Sequence, residues 1–248
     1  LRSPHAHARI KSIDTSHAEA FPGVHAVVTA ADFPKISSNV IDAGEAGQID
    51  MQDVADNCIA REKVFYDGHA VAAVAADNAH IAEEAANLIQ VDYELLDPVM
   101  DVRSAMADNA PVLHDDFLPG AFLAPTEKAL PNASKLELAM GDVKTGFDEA
   151  DIVIEREFTT ETVHQGYIET HIVTAQWGAN GMVTVWTTTQ GQFAIRDQLA
   201  LVLELPMSAI TVIPLEIGGG FGGKDSIYID PLAVVLSKQS GRPVKMVM

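Results

Sequence analysis

The chain has 248 residues, 48% hydrophobic and 21% charged, so it can bury a real core as one large domain or two ordinary ones, and nothing in it reads as disordered. Its 35 acidic against 16 basic residues give a net charge of −19, which argues against a nucleic-acid binder, whose Lys and Arg must neutralise phosphates, and against an anionic membrane surface. The single cysteine, Cys58, cannot close an internal disulfide, hold an iron–sulfur cluster or build a structural zinc site, and it reads as a buried bystander in a reducing, cytoplasmic setting.

The first hundred residues alternate strand and helix signals. Strands are predicted at Ala8 to Ile13 and Val24 to Thr29, with a brief helix between them capped by Thr15 and ended by Pro22-Gly23. Ala70 to Ala76 suits a buried strand. Asp77 or Asn78 then caps a helix whose apolar positions Ala79, Ala82, Ala86 and Ile89 share a face, and Val91 and Tyr93 begin a further strand that Asp97-Pro98 stops. Residues 1–100 therefore read as one α+β or α/β unit, and the proline-broken stretch 101–135 as an extended linker.

The second half, 136–248, opens with a short helix over Val143 to Ala150. Strands are predicted at Ile152 to Thr160, His171 to Trp177 and Met182 to Thr189, the last two joined by the hairpin signal Asn180-Gly181. Phe193, Leu199, Val202 and Leu203 mark a helix, Ile210 to Ile217 a strand, and Ile227 to Gln239 a helix with Gly241 just past its end. Arg242 to Met248 reads as a strand barely begun, and the chain opens on Leu1, so a piece of a longer polypeptide is expected. No apolar run reaches the roughly 18 residues of a membrane span, and no signal-peptide pattern is seen.

The sharpest motif is Gly218-Gly219-Gly220-Phe221-Gly222-Gly223-Lys224-Asp225, placed between a strand and a helix. Glycine permits positive φ and close backbone approach, so such a run can present N–H groups to phosphate or oxo oxygens. A plain tight turn needs fewer glycines. A P-loop would need Ser or Thr after Lys224, where Asp225 stands, and a dinucleotide fingerprint would need an early βαβ unit and a later acidic ribose partner. His164 and Glu169 make a tempting acid–base pair, but their spacing on a strand-like stretch does not put them on one face. His5 and His7 share a strand face and read as core or surface residues rather than a metal site.

Taken together these segments resemble the molybdopterin-binding large subunit of the molybdenum hydroxylases, the xanthine dehydrogenase and aldehyde oxidase family. The resemblance rests on Leu1-Arg2-Ser3-Pro4-His5-Ala6-His7-Ala8-Arg9-Ile10, Phe21-Pro22-Gly23-Val24, Tyr66-Asp67-Gly68-His69, His164-Gln165-Gly166-Tyr167-Ile168-Glu169-Thr170-His171, Thr189-Gln190-Gly191-Gln192-Phe193 and the glycine run. It implies an α+β fold: an α/β hammerhead domain, then the first part of a molybdopterin-binding domain with a mixed sheet and helices. It implies that Gln190, 31 residues before Phe221, donates from its amide to an oxygen on molybdenum, with Gln192 as the near neighbour to exclude. Gly220, Phe221 and Gly222 would hold the cofactor through their backbone, while the Phe221 ring could also anchor the loop in the core. Asp225 falls where purine-oxidising members carry a substrate-binding Glu, or else it caps the next helix.

The family reaction implied is hydroxylation of an N-heterocycle or aldehyde with oxygen from water. Its catalytic glutamate lies in a far C-terminal motif with no counterpart here, so no catalytic residue is expected in these residues and the isolated chain is expected to be inert. No side chain here is expected to ligate the metal directly. The 2Fe-2S clusters and FAD are expected on partner subunits or domains, within an oligomer, and the pterin is either plain or in the cytosine dinucleotide form. Two other readings stay open: a non-catalytic assembly fragment, and a nucleotide-binding P-loop-like domain.

Overall fold

Alternation of apolar and polar residues builds strand β1 (Ala8–Asp14), which lies at the centre of an antiparallel sheet of order β5-β1-β7 with β5 (Lys63–Val64) and β7 (Gln90–Leu95). The computed structural model in which this is seen describes residues 1–37, 40–42, 48–114, 132 and 140–248. Between β1 and β2 (Val24–Thr29) stands the short helix α1 (Ser16–Glu19). Thr15 holds its cap position, but the capping oxygen comes from Asp14, whose Oδ1 accepts from Ser16 N at 3.0 Å. β2 pairs with β6 (Ala72–Ala76), and α3 (Ala79–Ala86) follows, capped by Asn78, whose Oδ1 accepts from Ile81 N at 3.0 Å. Asp77, the other candidate cap, instead accepts from His25 Nε2 at 2.6 Å. The strands β3 (Val40–Asp42) and β4 (Gln48–Asp50) pair antiparallel ahead of helix α2 (Met51–Cys58).

Leu1–Asp97 and Gln165–Met248 belong to one structural unit, and Pro98–His164 form another. In the smaller unit, Asp101 caps α4 (Val102–Met106) and Asp142 caps α5 (Val143–Asp148), their carboxylates accepting from Ser104 N and Thr145 N. Helix α4 falls inside the stretch read as a linker; residues 115–131 and 133–135 of that stretch lie outside the described residues. The strand predicted over Ile152 to Thr160 is not formed. Ile152, Val153, Ile154 and Phe158 are all exposed, and no strand among the described residues pairs with their backbone. β propensity reports fit to a pleated, half-buried surface, and without a neighbour that surface is missing.

In the larger unit, the Asn180-Gly181 turn joins β8 (Ile172–Trp177) to β9 (Val183–Thr187) as predicted, with Gly181 at φ +79°. Helix α6 (Gln192–Val202) then carries the chain to β10 (Ile210–Pro214), which runs parallel to β9. The strand stops at Pro214, sooner than the apolar run suggests, because its partner β9 ends at Thr187, whose carbonyl takes the last ladder bond from Leu215 N at 3.0 Å. Helix α7 (Asp230–Ser240) also starts later than expected: Pro231 suits the first turn of a helix but not its interior. Gly241 closes it at φ +66°, and β11 (Val244–Val247) returns along β8, giving the sheet order β10-β9-β8-β11.

The residues from Leu232 to Ser237 of α7 are all buried, and the helix packs on β8 and against β2 and β6. Val28, Ala73, Val173, Leu199 and Leu236 thus belong to one core, where each fully buried aliphatic side chain contributes about 1.5–3 kcal/mol. Ser237 sits in that core because its hydroxyl donates to Arg242 O at 2.7 Å and accepts from Trp177 N at 2.9 Å. Cys58 is buried, and burial pushes its thiol upward, as a bystander requires. No helix among the described residues is long and apolar enough to cross a membrane.

Candidate functional site

The chain leaves β10 into the glycine run, which folds against the strap Thr189-Gln190-Gly191 that follows β9. The two segments are joined by their main chains. Lys224 O accepts from Gln190 N at 3.1 Å and from Thr189 Oγ1 at 3.2 Å. The Gln190 side chain then turns onto the loop: its Oε1 accepts from Gly222 N at 3.0 Å and from Lys224 N at 3.2 Å. Both partners are donors, so the oxygen and not the NH₂ must face them. The Nε2 of Gln190 has no partner among the described residues. Gln192, two residues on, opens α6 and makes no bond to the loop.

A second acceptor holds the loop from the other side. Glu169 Oε2 accepts from Gly218 N and from Lys224 Nζ, both at 2.8 Å. The Lys224 side chain is fully buried and also lies over the Tyr167 ring, 5.1 Å from its centroid. The Lys224 ammonium, and after it the Gly218 N–H, hold the Glu169 carboxyl below its usual range. A depressed carboxyl contributes stability at pH values above its unfolded value and loses it as pH falls through the folded value, so this contact survives mild acid. Behind the loop, Gln198 of α6 pins the outgoing chain: its Oε1 accepts from Ser226 Oγ at 2.8 Å and Ile227 N at 3.0 Å, and its Nε2 donates to Asp225 O at 3.4 Å.

These contacts use the N–H groups of Gly218, Gly222, Gly223 and Lys224, Gly223 N bonding Gly220 O at 2.8 Å. Gly219, Gly220 and Phe221 keep three successive N–H donors with no partner among the described residues. Backbone conformation marks the same place: Gly219 is at φ +95° and Phe221 at φ +51°. A non-glycine residue in that region costs roughly 1–3 kcal/mol and is held only where its surroundings over-determine it.

The predicted residues Gln190, Gly220, Phe221 and Gly222 therefore stand together. Two of the alternatives raised for their neighbours and side chains are corrected. The Phe221 ring is 71% exposed, so it does not anchor the loop in the core. Asp225 is exposed and precedes α7 by five residues, so it does not cap that helix. The P-loop reading also fails on geometry, because Lys224 is buried on Glu169 and has no ammonium to offer a phosphate. What remains is a set of neutral donors: one amide NH₂ and three backbone N–H groups. Among the described residues no group of three or more His, Cys, Asp or Glu is placed to hold a metal ion.

Sequence reasoning set Glu169 aside and did not single out Tyr167 or Gln198. A signal for Gln198 was present: on α6 it shares the buried face of Ile195, Leu199 and Val202, and a buried polar residue there needs partners. No comparable signal marks Glu169, whose partner Lys224 is 55 residues away.

Comparison with known proteins gives this geometry a setting. Residues 1–97 match the a/b hammerhead domain of aldehyde oxidase and xanthine dehydrogenase, and residues 126–248 match the molybdopterin cofactor-binding domain. The chain belongs to the molybdenum hydroxylases. Within this family it is 40% identical to the carbon monoxide dehydrogenase large chain of Afipia carboxidovorans, covering all of this chain and 30% of that protein. It is 30% identical to the xanthine dehydrogenase molybdenum-binding subunit of Escherichia coli, covering 99% of this chain and 31% of that one. The chain thus spans less than a third of the length of either relative. Among solved structures, quinoline 2-oxidoreductase from Pseudomonas putida superposes with a TM-score of 0.81 at 30% identity, over 100% of this chain and 30% of that one. The Cu,Mo-CO dehydrogenase in its carbon monoxide reduced state gives 0.80 at 36% identity, over 100% of this chain and 31% of that one. The α+β fold expected from the sequence is that of this hydroxylase family.

The loop fits a molybdopterin group. Gly220 is buried against Gln190, so only a glycine there lets the Gln190 side chain lie across the loop with its NH₂ unclaimed, and the unclaimed donors suit oxygens that carry partial negative charge.

Proposed function

We propose that this chain supplies one wall of the molybdenum–molybdopterin site of a hydroxylase that oxidises an N-heterocycle or aldehyde with oxygen from water. The observation that carries the reading is the split use of Gln190: its oxygen is spent on Gly222 N and Lys224 N, and its NH₂ is left for a ligand. Bound molybdopterin supplies the hydroxylation and the two-electron redox chemistry. This chain's part is to hold it: Gly219, Gly220 and Phe221 offer backbone N–H groups, Gly222, whose own N–H is taken by Gln190 Oε1, shapes the loop beside them, and Gln190 offers a neutral donor that does not change charge during turnover. The reading takes residues 1–100 as the hammerhead domain, 101–135 as a linker and 136–248 as the first cofactor-binding lobe. Iron–sulfur and FAD subunits, a cytosine dinucleotide on the pterin, oligomerisation and a cytoplasmic location complete it. No catalytic residue is assigned to this chain.

Metal analysis of the full-length protein in its complex is expected to find about one molybdenum per large subunit, since tight cofactors co-purify with the folded state they stabilise. A complex without molybdenum would remove this reading and leave the assembly-fragment reading. The similarity to carbon monoxide dehydrogenase favours one competing substrate, carbon monoxide, and stoichiometric copper in the same analysis would support it.

Asp225 is proposed to face the substrate. Its carboxylate is exposed and lies 4.0 Å from the position a Cβ on Gly222 would take, next to the cofactor loop. Asp225→Ala in the complete enzyme is expected to raise KM or lower kcat by about tenfold, the worth of one hydrogen bond to a charged group. Steady-state kinetics on purines, other N-heterocycles and aldehydes will show this; unchanged constants with every substrate would take Asp225 out of the site.

A further inference from the structure

Two acceptors shape the glycine run, and only one of them belongs to the proposed cofactor contacts. Gln190 Oε1 takes the N–H groups of Gly222 and Lys224. Glu169 Oε2, one oxygen atom, takes the N–H of Gly218 and the ammonium of Lys224, the first and last residues of the motif from Gly218 to Lys224. The three residues whose N–H groups stay free lie between those two ends. A carboxylate with hydrogen bonds to both ends of a loop fixes the span of what lies between.

We propose that Glu169 is a positioning residue: by joining Gly218 to Lys224 it sets the spacing of the free N–H groups of Gly219, Gly220 and Phe221, which hold the molybdopterin. The inference rests on the molybdopterin reading above. Packing agrees with it. A Cβ on Gly218 would fall 2.6 Å from Glu169 Cβ, and one on Gly223 would fall 2.6 Å from Tyr167 Cε1, so the loop is seated on the Tyr167–Glu169 segment with no slack at either end. Lys224, the residue that a P-loop would offer to phosphate, is instead used to hold the loop's end. Lys224 is buried in this pair but Glu169 is partly exposed, and ion pairs commonly contribute little net stability, so stability alone is a weak reason for it.

The test uses the full-length complex with three variants: Glu169→Ala, Glu169→Gln and Lys224→Met. Hydrogen exchange at Gly222 and Gly223, whose N–H groups bond within the chain, exchange in α7, and molybdenum per large subunit are read for each. Glu169→Ala loses both bonds and is expected to speed loop exchange by about tenfold or more and cut molybdenum content by about fivefold, with α7 exchange unchanged. Glu169→Gln keeps an oxygen that accepts from both donors and is expected to stay within about twofold of wild type in both. Lys224→Met leaves no unpaired buried charge, so it is expected to fold and still speed loop exchange by about tenfold; if Glu169→Ala does not assemble, this variant decides. Wild-type loop exchange in Lys224→Met, or in Glu169→Ala, overturns the proposal. So does equal acceleration of the loop and α7, which marks general destabilisation. Absence of molybdenum from the wild-type complex removes the parent reading instead, and the exchange measurement is independent of it.

Discussion

Gly220→Ala is expected to lower turnover of the full-length enzyme by about 10²-fold or more, with most of the molybdenum lost, because it displaces the side chain that aligns the site. An added Cβ would stand 2.3 Å from Gln190 Oε1, 2.7 Å from its Cδ and 2.9 Å from its Cγ. Real Cβ atoms do not approach that closely. The clash runs along the side chain from Cγ to Oε1, so swinging the amide group alone does not relieve it, and Gln190 must leave. Gly222 N and Lys224 N then lose their acceptor, at about 0.5–1.5 kcal/mol for each bond and more where water cannot replace it. Gly222→Ala is the instructive contrast. Its Cβ meets only Asp225 Oδ2 at 4.0 Å, but its φ of +83° is one that L side chains rarely adopt. That strain costs roughly 1–2 kcal/mol of loop stability without touching Gln190. Metal content and kcat measured side by side should rank Gly220→Ala well below Gly222→Ala. A Gly220→Ala enzyme with full molybdenum and wild-type kcat would show that Gln190 does not need its present position.

Local chemistry made much of this fold legible in the sequence. The Asn180-Gly181 hairpin, the helices following Asn78 and ending at Gly241, and the glycine run each carry a backbone requirement that few other residues satisfy. Element ends were less legible. α7 waits for Pro231, a reason visible in the sequence but outweighed there by a longer apolar run, while β10 stops where its partner β9 ends, which pattern alone does not show. The strand predicted over Ile152 to Thr160 failed for a different reason: a ladder needs a partner, and pattern alone does not say whether one exists. At the site, residue types with one clear use were found, while those acting across the fold were not. Gln190 and the glycines announce themselves by type and spacing. Glu169 depends on Lys224, and Lys224 looks like a phosphate ligand until its burial is seen.

Gln190→Glu should separate the two duties assigned to this residue. A carboxylate has the same reach and still accepts from Gly222 N and Lys224 N, so the loop is expected to keep its wild-type hydrogen exchange and the enzyme its molybdenum. The amide NH₂ is gone, and a negative charge stands where a neutral donor stood. Loss of one preorganised donor is worth about 10²–10³-fold in kcat, and that is the fall expected at neutral pH. Gln190→Ala removes acceptor and donor together and should lose loop order as well. Acid offers a further check. Two backbone N–H groups stabilise the ionised carboxyl and depress its titration, so the new Glu stays charged until the pH is well below neutral. Once protonated it carries an O–H that can donate in place of the NH₂. The residual activity of Gln190→Glu, taken as a ratio to wild type at each pH, is therefore expected to rise as pH falls. A ratio near one at every pH with normal loop exchange would mean that the donor at this position is not used, and the cofactor would then rest on the backbone of Gly219 to Phe221 alone.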